Sequence, residues 1–267
     1  MEPEIVIVGA GVAGSALAIM LGRQGHQVLL LEKSLVHADR VRGEVLVPWG
    51  VAETQRLGLV DVLLNIDDVG YYHLPQGQGR ARLYAAHGLE QKGRFAGNGR
   101  PQRFIEAFDH PAMPHRTCLR QVKVAGPCRG YANSDVWLDR IIAAGIVLIG
   151  DAAGTNDPSI AQRLSLSFRD VRLVSEALAS GLTNCADGLA AYVEERHHRM
   201  SRYRLLGHLV GRIRFEFTNE AHARRQRIAA RMVTEPDLSF PHFAQLKGYE
   251  AVPRTVFTDE YRERALR

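Results

Sequence analysis

The feature that most constrains the fold of this chain is a glycine-rich segment near its N-terminus, where Gly9, Gly11 and Gly14 have the GxGxxG spacing. A β-branched run, Ile5–Val8, precedes these glycines, and an apolar helical run, Ser15–Leu21, follows them. This order predicts a strand buried on both faces, a tight turn and a helix. The first glycine permits the turn, the second lets the backbone approach a pyrophosphate, and the third allows the helix to pack closely on the strand. The segment therefore predicts a dinucleotide-binding βαβ unit, and the alternative is a βαβ unit that only forms core.

An acidic residue ends the second strand of this unit. The apolar run Val28–Leu31 is followed by Glu32, about 20 residues after the glycines, where a carboxylate can accept hydrogen bonds from a ribose hydroxyl. The N-terminus of the intervening helix offers free N–H groups and a positive dipole end to the phosphates. A carboxylate at this position also repels a 2′-phosphate, which disfavours NADP. The motif alone does not separate FAD from NAD.

A second candidate motif lies in the middle of the chain. The apolar run Gly145–Ile149, which we predict to be a second parallel strand, leads directly into Gly150-Asp151. Ligands of open α/β sheets bind at the carboxyl ends of strands, so this carboxylate is placed where a ligand is expected. The alternative is that Asp151 only caps the following helix. The presence of the N-terminal unit favours the functional interpretation.

Composition excludes several other classes of protein. The 267 residues are 46% hydrophobic and 24% charged, as in ordinary globular proteins, and no apolar run reaches the roughly 18 residues of a membrane span. Three widely spaced cysteines argue against a disulfide framework or a zinc site and suit a reducing compartment. The acidic start Met1-Glu2-Pro3-Glu4 is unlike an export signal. We therefore expect a cytoplasmic protein with no membrane partner.

Two further patterns have plain structural explanations. Arginines are concentrated between Arg196 and Arg231, and such a patch can bind nucleic acid. No series of aromatic residues alternates with them as stacking platforms, so we interpret them as the solvated face of long helices and expect no nucleic-acid partner. Glu194 and His197 have the spacing of a di-iron ligand pair, but a di-iron site needs a second such pair, so no metal is expected. No nucleophile-elbow pattern supports hydrolase chemistry.

Hydrophobic periodicity predicts the remaining elements. An apolar stripe of Met200, Tyr203, Val210, Ile213 and Phe217 should be buried. The predicted elements are a helix over Val51–Leu64, extended chain over Val69–Leu89 with a turn at Pro75–Gly79, a short helix over Arg103–Phe108, and helices over Leu164–Leu178, Asp187–Phe217, Glu220–Val233 and Asp259–Leu266.

These motifs, in this order, resemble the FAD-dependent aromatic hydroxylases, the para-hydroxybenzoate hydroxylase-like flavoprotein monooxygenases. The resemblance implies that the glycine-rich unit and Glu32 hold the ADP half of FAD. It implies that Arg42, in Arg42-Gly43-Glu44, lies near the flavin, and that Asp151 contacts the ribityl chain. The residues that follow, through Asp157-Pro158, would then run beneath the isoalloxazine ring. The resemblance covers most of the chain to about Phe217.

The chain departs from this family in two places. It lacks the Asp-Gly motif that family members carry between the Arg42 region and the Gly-Asp motif, and the pattern changes abruptly near Asn65, which we interpret as an internal deletion. It also has Ala161-Gln162-Arg163 where the family commonly has Gly-Gln-Gly. The side chains of Ala161 and Arg163 could hinder the approach of a flavin, whereas the Arg163 cation could favour a reduced, anionic flavin. We therefore expect the chain to bind FAD weakly or not at all, and its activity to be impaired.

The sequence thus predicts an α/β fold with a reduced Rossmann-like, FAD-binding parallel sheet, a small antiparallel sheet and C-terminal helices. We divide it into residues 1–65 and 126–180 for FAD binding, 66–125 as a remnant of the substrate-covering sheet, and 181–267 as a helical region. The resemblance implies NAD(P)H-dependent hydroxylation of a small aromatic substrate, with FAD as cofactor and NAD(P)H as co-substrate. The alternatives are an inactive, truncated nucleotide-binding remnant or an NAD-dependent dehydrogenase. The candidate cofactor-binding residues are Gly9, Gly11, Val12, Ala13, Gly14, Glu32, Lys33, Arg42, Gly150, Asp151, Asp157 and Pro158.

Overall fold

A computed structural model describes residues 2–36, 49, 53, 56–57, 73–77, 80–85, 93, 95–107, 122–131, 134–214, 216 and 218–267. The chain divides into two compact units, the first made of residues 1–64 and 133–267 and the second of residues 65–132. The division of the chain into four functional segments stays a prediction.

The N-terminal βαβ unit forms as predicted. Strand β1 (Ile5–Val8) pairs in parallel with β2 (Val28–Leu31), and helix α1 (Val12–Arg23) connects the two strands. Gly25 follows the helix with φ of +90°, a conformation that glycine adopts without steric cost.

The prediction that β1 is buried on both faces is wrong. Ile7 is buried, whereas Val6 and Val8 on the opposite face are 50% and 83% exposed. Ile7 belongs to a core shared with α1 and with helix α3 (Arg163–Leu178). Helices therefore cover one face of the strand pair, and the other face is open in the part of the chain that the structure describes.

The predicted second parallel strand is also wrong. Gly145–Ile149 contributes only the two-residue strand β7 (Ile146–Val147), which pairs antiparallel with β6 (Ile142–Ala143). Gly145, in the two-residue loop between these strands, has φ of +72°, a left-handed conformation that glycine adopts in tight turns without steric cost. A tight local turn therefore pairs this apolar run with its own sequence neighbour instead of with β1. A second short antiparallel pair joins β5 (Val136–Trp137) to β8 (Gly154–Thr155).

Helices form most of the first unit. The apolar residues of α3 that stand three and four positions apart, Phe168, Val171, Val174 and Leu178, are buried. The helix α4 (Ala186–Arg214) buries Met200, Tyr203 and Val210 and half-buries Ile213, whereas Phe217 lies outside the described residues. Among the described residues, three shorter helices follow α4: α5 (Asn219–Arg231), α6 (Phe240–Lys247), which was not predicted, and α7 (Asp259–Leu266).

The second unit contains an antiparallel hairpin and a short helix. Strand β3 (His73–Gly77) pairs with β4 (Arg80–Leu83) with a register shift between Pro75 and Gly77, so the first part of the predicted turn lies within a strand. The helix α2 spans Arg100–Glu106, starting three residues before its predicted first residue. The predicted helix over Val51–Leu64 lies mostly outside the described residues.

The arginines of the C-terminal half are bound within the fold. Arg196, Arg199 and Arg224 are buried rather than solvated. Others form intramolecular ion pairs: Arg212 with Glu216, Arg227 with Glu220 and Arg231 with Glu235. Much of the positive charge is therefore buried or paired with nearby acidic side chains.

Among the described residues, no cluster of three or more histidine, cysteine, aspartate or glutamate side chains could hold a metal ion. His197 instead lies against the Trp137 ring, with ring centroids 5.5 Å apart. None of the helices in the described part of the chain is both long and apolar enough to span a bilayer.

Candidate functional site

The glycine-rich turn depends on one very close backbone approach. A Cβ atom on Gly14 would lie 1.9 Å from the carbonyl oxygen of Gly9, so only glycine fits at the start of α1. Gly9 has φ of +102°, which also favours glycine. A Cβ on Gly11 would meet nothing within 4 Å. The turn is therefore packed tightly on its inner side and open beside Gly11.

The N-terminus of α1 is available to an anion. The helix begins at Val12, and its capping position, Gly11, has no side chain to satisfy the first N–H groups. The N–H groups of Val12, Ala13 and Gly14 belong to the first turn, where no helical carbonyl accepts them. These amides and the positive end of the helix dipole form the kind of site at which phosphate groups bind.

Glu32 lies beside this turn, at the end of β2. One carboxylate oxygen accepts a hydrogen bond from the backbone N–H of Ala10 at 2.8 Å, and the other accepts from the N–H of Ser34 at 3.0 Å. The side chain therefore holds the glycine-rich turn in place, a role that the spacing alone did not indicate. Its contact with a ribose stays a prediction, as does the role of the adjacent, exposed Lys33.

The Gly150-Asp151 motif lies against the same helix. A 3₁₀ turn spans Gly150–Ala153, and a Cβ on Gly150 would lie 2.9 Å from the Cβ of Ala13 and 3.3 Å from the hydroxyl of Ser167. The fold thus brings together two motifs that are far apart in the sequence. Asp151 is not the cap of a helix, since Ile149 is the residue that precedes the turn. Its carboxylate is half-exposed, and the neighbouring Gly150 packs on the first turn of α1.

A cluster of buried ion pairs between α3 and α4 holds the backbone of the Gly150–Ala153 turn. Asp170 of α3 accepts hydrogen bonds from Arg196 at 3.0 Å and from Arg199 at 2.7 Å, both on α4, and from the backbone N–H of Gly150 at 2.8 Å. Although burial opposes its charge, the carboxylates of Asp170 and Glu195 raise the pKa of Arg199. Burial, reinforced by the Asp170 charge, raises the pKa of Tyr192, whose hydroxyl donates to the carbonyl of Leu148 at 2.8 Å.

Sequence reasoning missed this cluster. A signal was present, because Asp170 stands four residues after Leu166 and four before Val174, on the apolar side of a helix. A carboxylate at such a position needs a charged partner.

The segment after the turn is used partly for structure. Asp157 accepts a hydrogen bond from the N–H of Ser159 at 2.7 Å and caps the 3₁₀ turn that starts at Pro158. The side chain of Gln162 points into the core, where it accepts from the indole of Trp49 at 2.6 Å. The roles of Asp157 and Pro158 in cofactor binding stay predictions.

Arg163 forms an ion pair with Asp151, a candidate cofactor-binding residue. The family that this chain resembles commonly has glycine at the position of Arg163. Its Nε lies 3.5 Å from the Oδ1 of Asp151. Arg163 is partly buried and the carboxylate is half-exposed, so this ion pair is weak. A positive charge is therefore present at the site beside Asp151.

Ala161 adopts a conformation that favours glycine, with φ of +53°. Because its Cβ is strained there, we expect Ala161→Gly to raise the free energy of unfolding by about 1 kcal/mol. Ala179→Gly, at the C-terminus of α3 with φ of −61°, is the control and should be neutral or destabilising. Urea unfolding of both variants measures the difference. A destabilised Ala161→Gly variant would show that the strain is absent.

The residues present fit an FAD molecule at both ends. The open, uncapped helix terminus suits a pyrophosphate, Glu32 lies at the end of β2, and the Asp151 carboxylate is available near the same helix. The space beside Gly11 that no Cβ fills is where a phosphate would approach. Arg42 lies outside the described residues, so its predicted position near the flavin is not tested.

Comparisons with known proteins agree with this arrangement. Residues 2–84 match the family model of the FAD binding domain. The squalene epoxidase erg1 of Aspergillus fumigatus is 54% identical over 72 residues, which are 26% of this chain and 15% of that protein. Squalene epoxidase 1 of Arabidopsis thaliana is 37% identical over 196 residues, 68% of this chain and 35% of that protein. The chain therefore spans only part of the length of these relatives, 15% of the first and 35% of the second.

The fold is similar to that of PqsL from Pseudomonas aeruginosa, described as "a probable FAD-dependent monooxygenase", with a TM-score of 0.55 at 15% identity over 78% of this chain and 95% of that one. A variant of the same protein gives a TM-score of 0.58 at 16% identity, covering 78% of this chain and 96% of that one. At these identities the likeness shows the fold alone. The N-terminal segment thus matches an FAD binding domain, and the fold is similar to that of a probable FAD-dependent monooxygenase, in agreement with the motifs.

Proposed function

We propose that this chain holds FAD across the two motifs and forms the cofactor-binding part of a flavin monooxygenase. The observation that supports the proposal is the packing of Gly150 against Ala13, which brings the Gly150-Asp151 backbone to the first turn of α1. A nucleotide that binds the helix end with its phosphates can extend from there toward Asp151. An NAD-dependent dehydrogenase would leave this second motif unexplained.

Each residue of the site has a role that follows from its chemistry. The first-turn amides of α1 would bind the pyrophosphate, and Glu32 would accept hydrogen bonds from the ribose. Asp151 would accept from the ribityl hydroxyls, and Arg163 would supply positive charge nearby. When bound, FAD supplies the electron transfer and oxygen activation, so the protein has only to bind, orient and shield it.

The Glu32 role can be measured separately from the fold. We expect Glu32→Ala to weaken the binding of ADP and FAD by about 1–3 kcal/mol, because ribose hydroxyls lose their acceptor and the turn loses its anchor. Glu4→Ala is the matched control, since Glu4 accepts from the N–H of Gln27 at 3.2 Å, beside the opposite end of the same strand pair. Titration calorimetry of both variants decides, and equal affinities in Glu32→Ala and the parent would contradict this role.

For the reaction, we propose NAD(P)H-dependent oxygenation of a small substrate. The resemblance to aromatic hydroxylases favours a phenol. The sequence relatives named as squalene epoxidases favour an apolar alkene instead. Both substrate classes are electron-rich. Parallel assays with simple phenols and with squalene in detergent show which class is oxygenated.

We expect oxygenation to be poorly coupled. The family that this chain resembles commonly has glycines at the positions of Ala161 and Arg163. The methyl group and the guanidinium of these residues leave less room for the flavin ring to pack against the start of α3. A poorly seated cofactor is exposed to water, which diverts activated oxygen from the substrate. With added FAD, most of the oxygen consumed during NAD(P)H oxidation should be recovered as hydrogen peroxide. Product formed in proportion to NAD(P)H would refute this, and FAD binding without NAD(P)H oxidation would favour the inactive remnant.

A further inference from the structure

We propose that Arg196 is a positioning residue for the flavin half of the site. Together with Asp170 it fixes the backbone from Gly150 to Gly154, and so sets where the Asp151 carboxylate stands. This inference rests on the proposed function, because it assumes that Asp151 contacts the FAD.

The contacts of Arg196 join both ends of the turn. Its Nη2 donates to the carbonyl oxygens of Gly150 at 3.1 Å and Gly154 at 3.2 Å. Its Nε donates to the same Asp170 oxygen that accepts from the N–H of Gly150. Two side chains on two different helices therefore hold three backbone groups of one short turn.

The turn needs such support because of its own sequence. Gly150 and Gly154, at its two ends, have φ of +57° and +113°. Glycine adopts positive and negative φ about equally readily, so the backbone of the turn does not by itself select one conformation. Arg196 is 4% exposed and Asp170 is fully buried, and hydrogen bonds between buried charged groups and backbone are among the stronger ones in proteins.

Arg199 provides a control within the same cluster. It lies on α4 one turn after Arg196, is fully buried, and binds the other oxygen of Asp170 at 2.7 Å. Its remaining contacts among the described residues go to Glu195 and to the carbonyl of Leu166, away from the turn. Removing either arginine disturbs the buried cluster, but only removal of Arg196 breaks hydrogen bonds to the Gly150–Gly154 backbone.

The test compares Arg196→Met with Arg199→Met. For each purified variant, the dissociation constants of FAD and ADP are measured by fluorescence and calorimetry, with the melting temperature as a measure of stability. Both variants should be destabilised. Arg196→Met should weaken FAD binding about tenfold or more, since charged hydrogen bonds to the turn are lost. Its ADP affinity should stay within about threefold of the parent, because ADP lacks the ribityl chain that Asp151 is proposed to contact. Arg199→Met should change neither affinity by more than about threefold.

A milder variant covers the case in which Arg196→Met does not fold. Arg196→Lys keeps a cation for Asp170, but a lysine amine lacks the planar fork that lets arginine bind several acceptors at once. It should weaken FAD binding by at least about threefold and leave ADP binding unchanged.

Two results overturn the inference. If Arg196→Met and Arg199→Met weaken FAD binding equally, or if Arg196→Met weakens ADP as much as FAD, then Arg196 only stabilises the fold. A parent chain that binds neither FAD nor ADP is a different result, which contradicts the proposed function and the positioning role with it.

Discussion

Replacing Asp170 with alanine is expected to lower the free energy of unfolding by about 3–5 kcal/mol, because it leaves two buried arginines without their shared carboxylate. Arg196 and Arg199 are 4% and 0% exposed, and Asp170 is itself fully buried. A loss of this size is a large part of the stability of a typical domain, roughly 5–15 kcal/mol. Urea unfolding followed by circular dichroism measures it.

The matched control lies two turns further along the same helix. Glu176 forms an ion pair with Arg172 at 2.8 Å, but its side chain is 58% exposed. Exposed pairs contribute about 0–1 kcal/mol, so Glu176→Ala should be nearly neutral. A difference of less than about 1 kcal/mol between the Asp170 and Glu176 variants would contradict the view that the buried cluster holds α3, α4 and the Gly150 turn together.

Replacing Gly14 with alanine is expected to abolish measurable binding of FAD and ADP. The new Cβ would lie 1.9 Å from the carbonyl oxygen of Gly9, so α1 must move away from the turn and the phosphate-binding amides move with it. Overpacking of this kind also costs about 1–3 kcal/mol of stability.

Gly22→Ala is the control for this substitution, since Gly22 lies in the same helix and an added Cβ there meets nothing within 4 Å. Alanine favours helix over glycine by about 0.5–1 kcal/mol, so this variant should be more stable than the parent and bind nucleotide normally. Calorimetric titration with ADP distinguishes the two variants. Normal ADP binding by Gly14→Ala would show that the glycine-rich turn is not the phosphate site.

The parts of the fold that sequence reasoning predicted are those whose information is local. The strand, turn and helix from Ile5 to Arg23 follow one another directly, and Gly9 and Gly14 each have a local steric reason. The same holds for α3, whose buried face can be read from its spacing.

The errors concern pairing and burial, which depend on distant residues. The composition of an apolar run such as Gly145–Ile149 does not show whether it joins a parallel sheet or folds back in a hairpin. In the structure, the turn at Gly145 forms the hairpin. The burial of Val6 and Val8 was overestimated because a strand is covered on both faces only when a second layer packs on it.

Only part of the site was predicted, because its remaining contacts also depend on residues that are distant in the sequence. Gly150-Asp151 was recognised as a motif, but its supports, Asp170 and Arg196, lie on two later helices and act through contacts that no short pattern contains. Glu32 was assigned to a ribose from its spacing, and the structure adds that it also holds the N–H of Ala10.

Equilibrium titration of the purified chain with FAD, followed by quenching of flavin fluorescence and by the visible absorption spectrum, tests the central claim most directly. The two-motif site predicts one saturable site for FAD, from which ADP displaces it, with weaker binding after Asp151→Ala and unchanged binding after Asp187→Ala, an acidic residue in the first turn of α4. Absence of saturable FAD binding, or binding that is equally strong in both variants, would contradict the account.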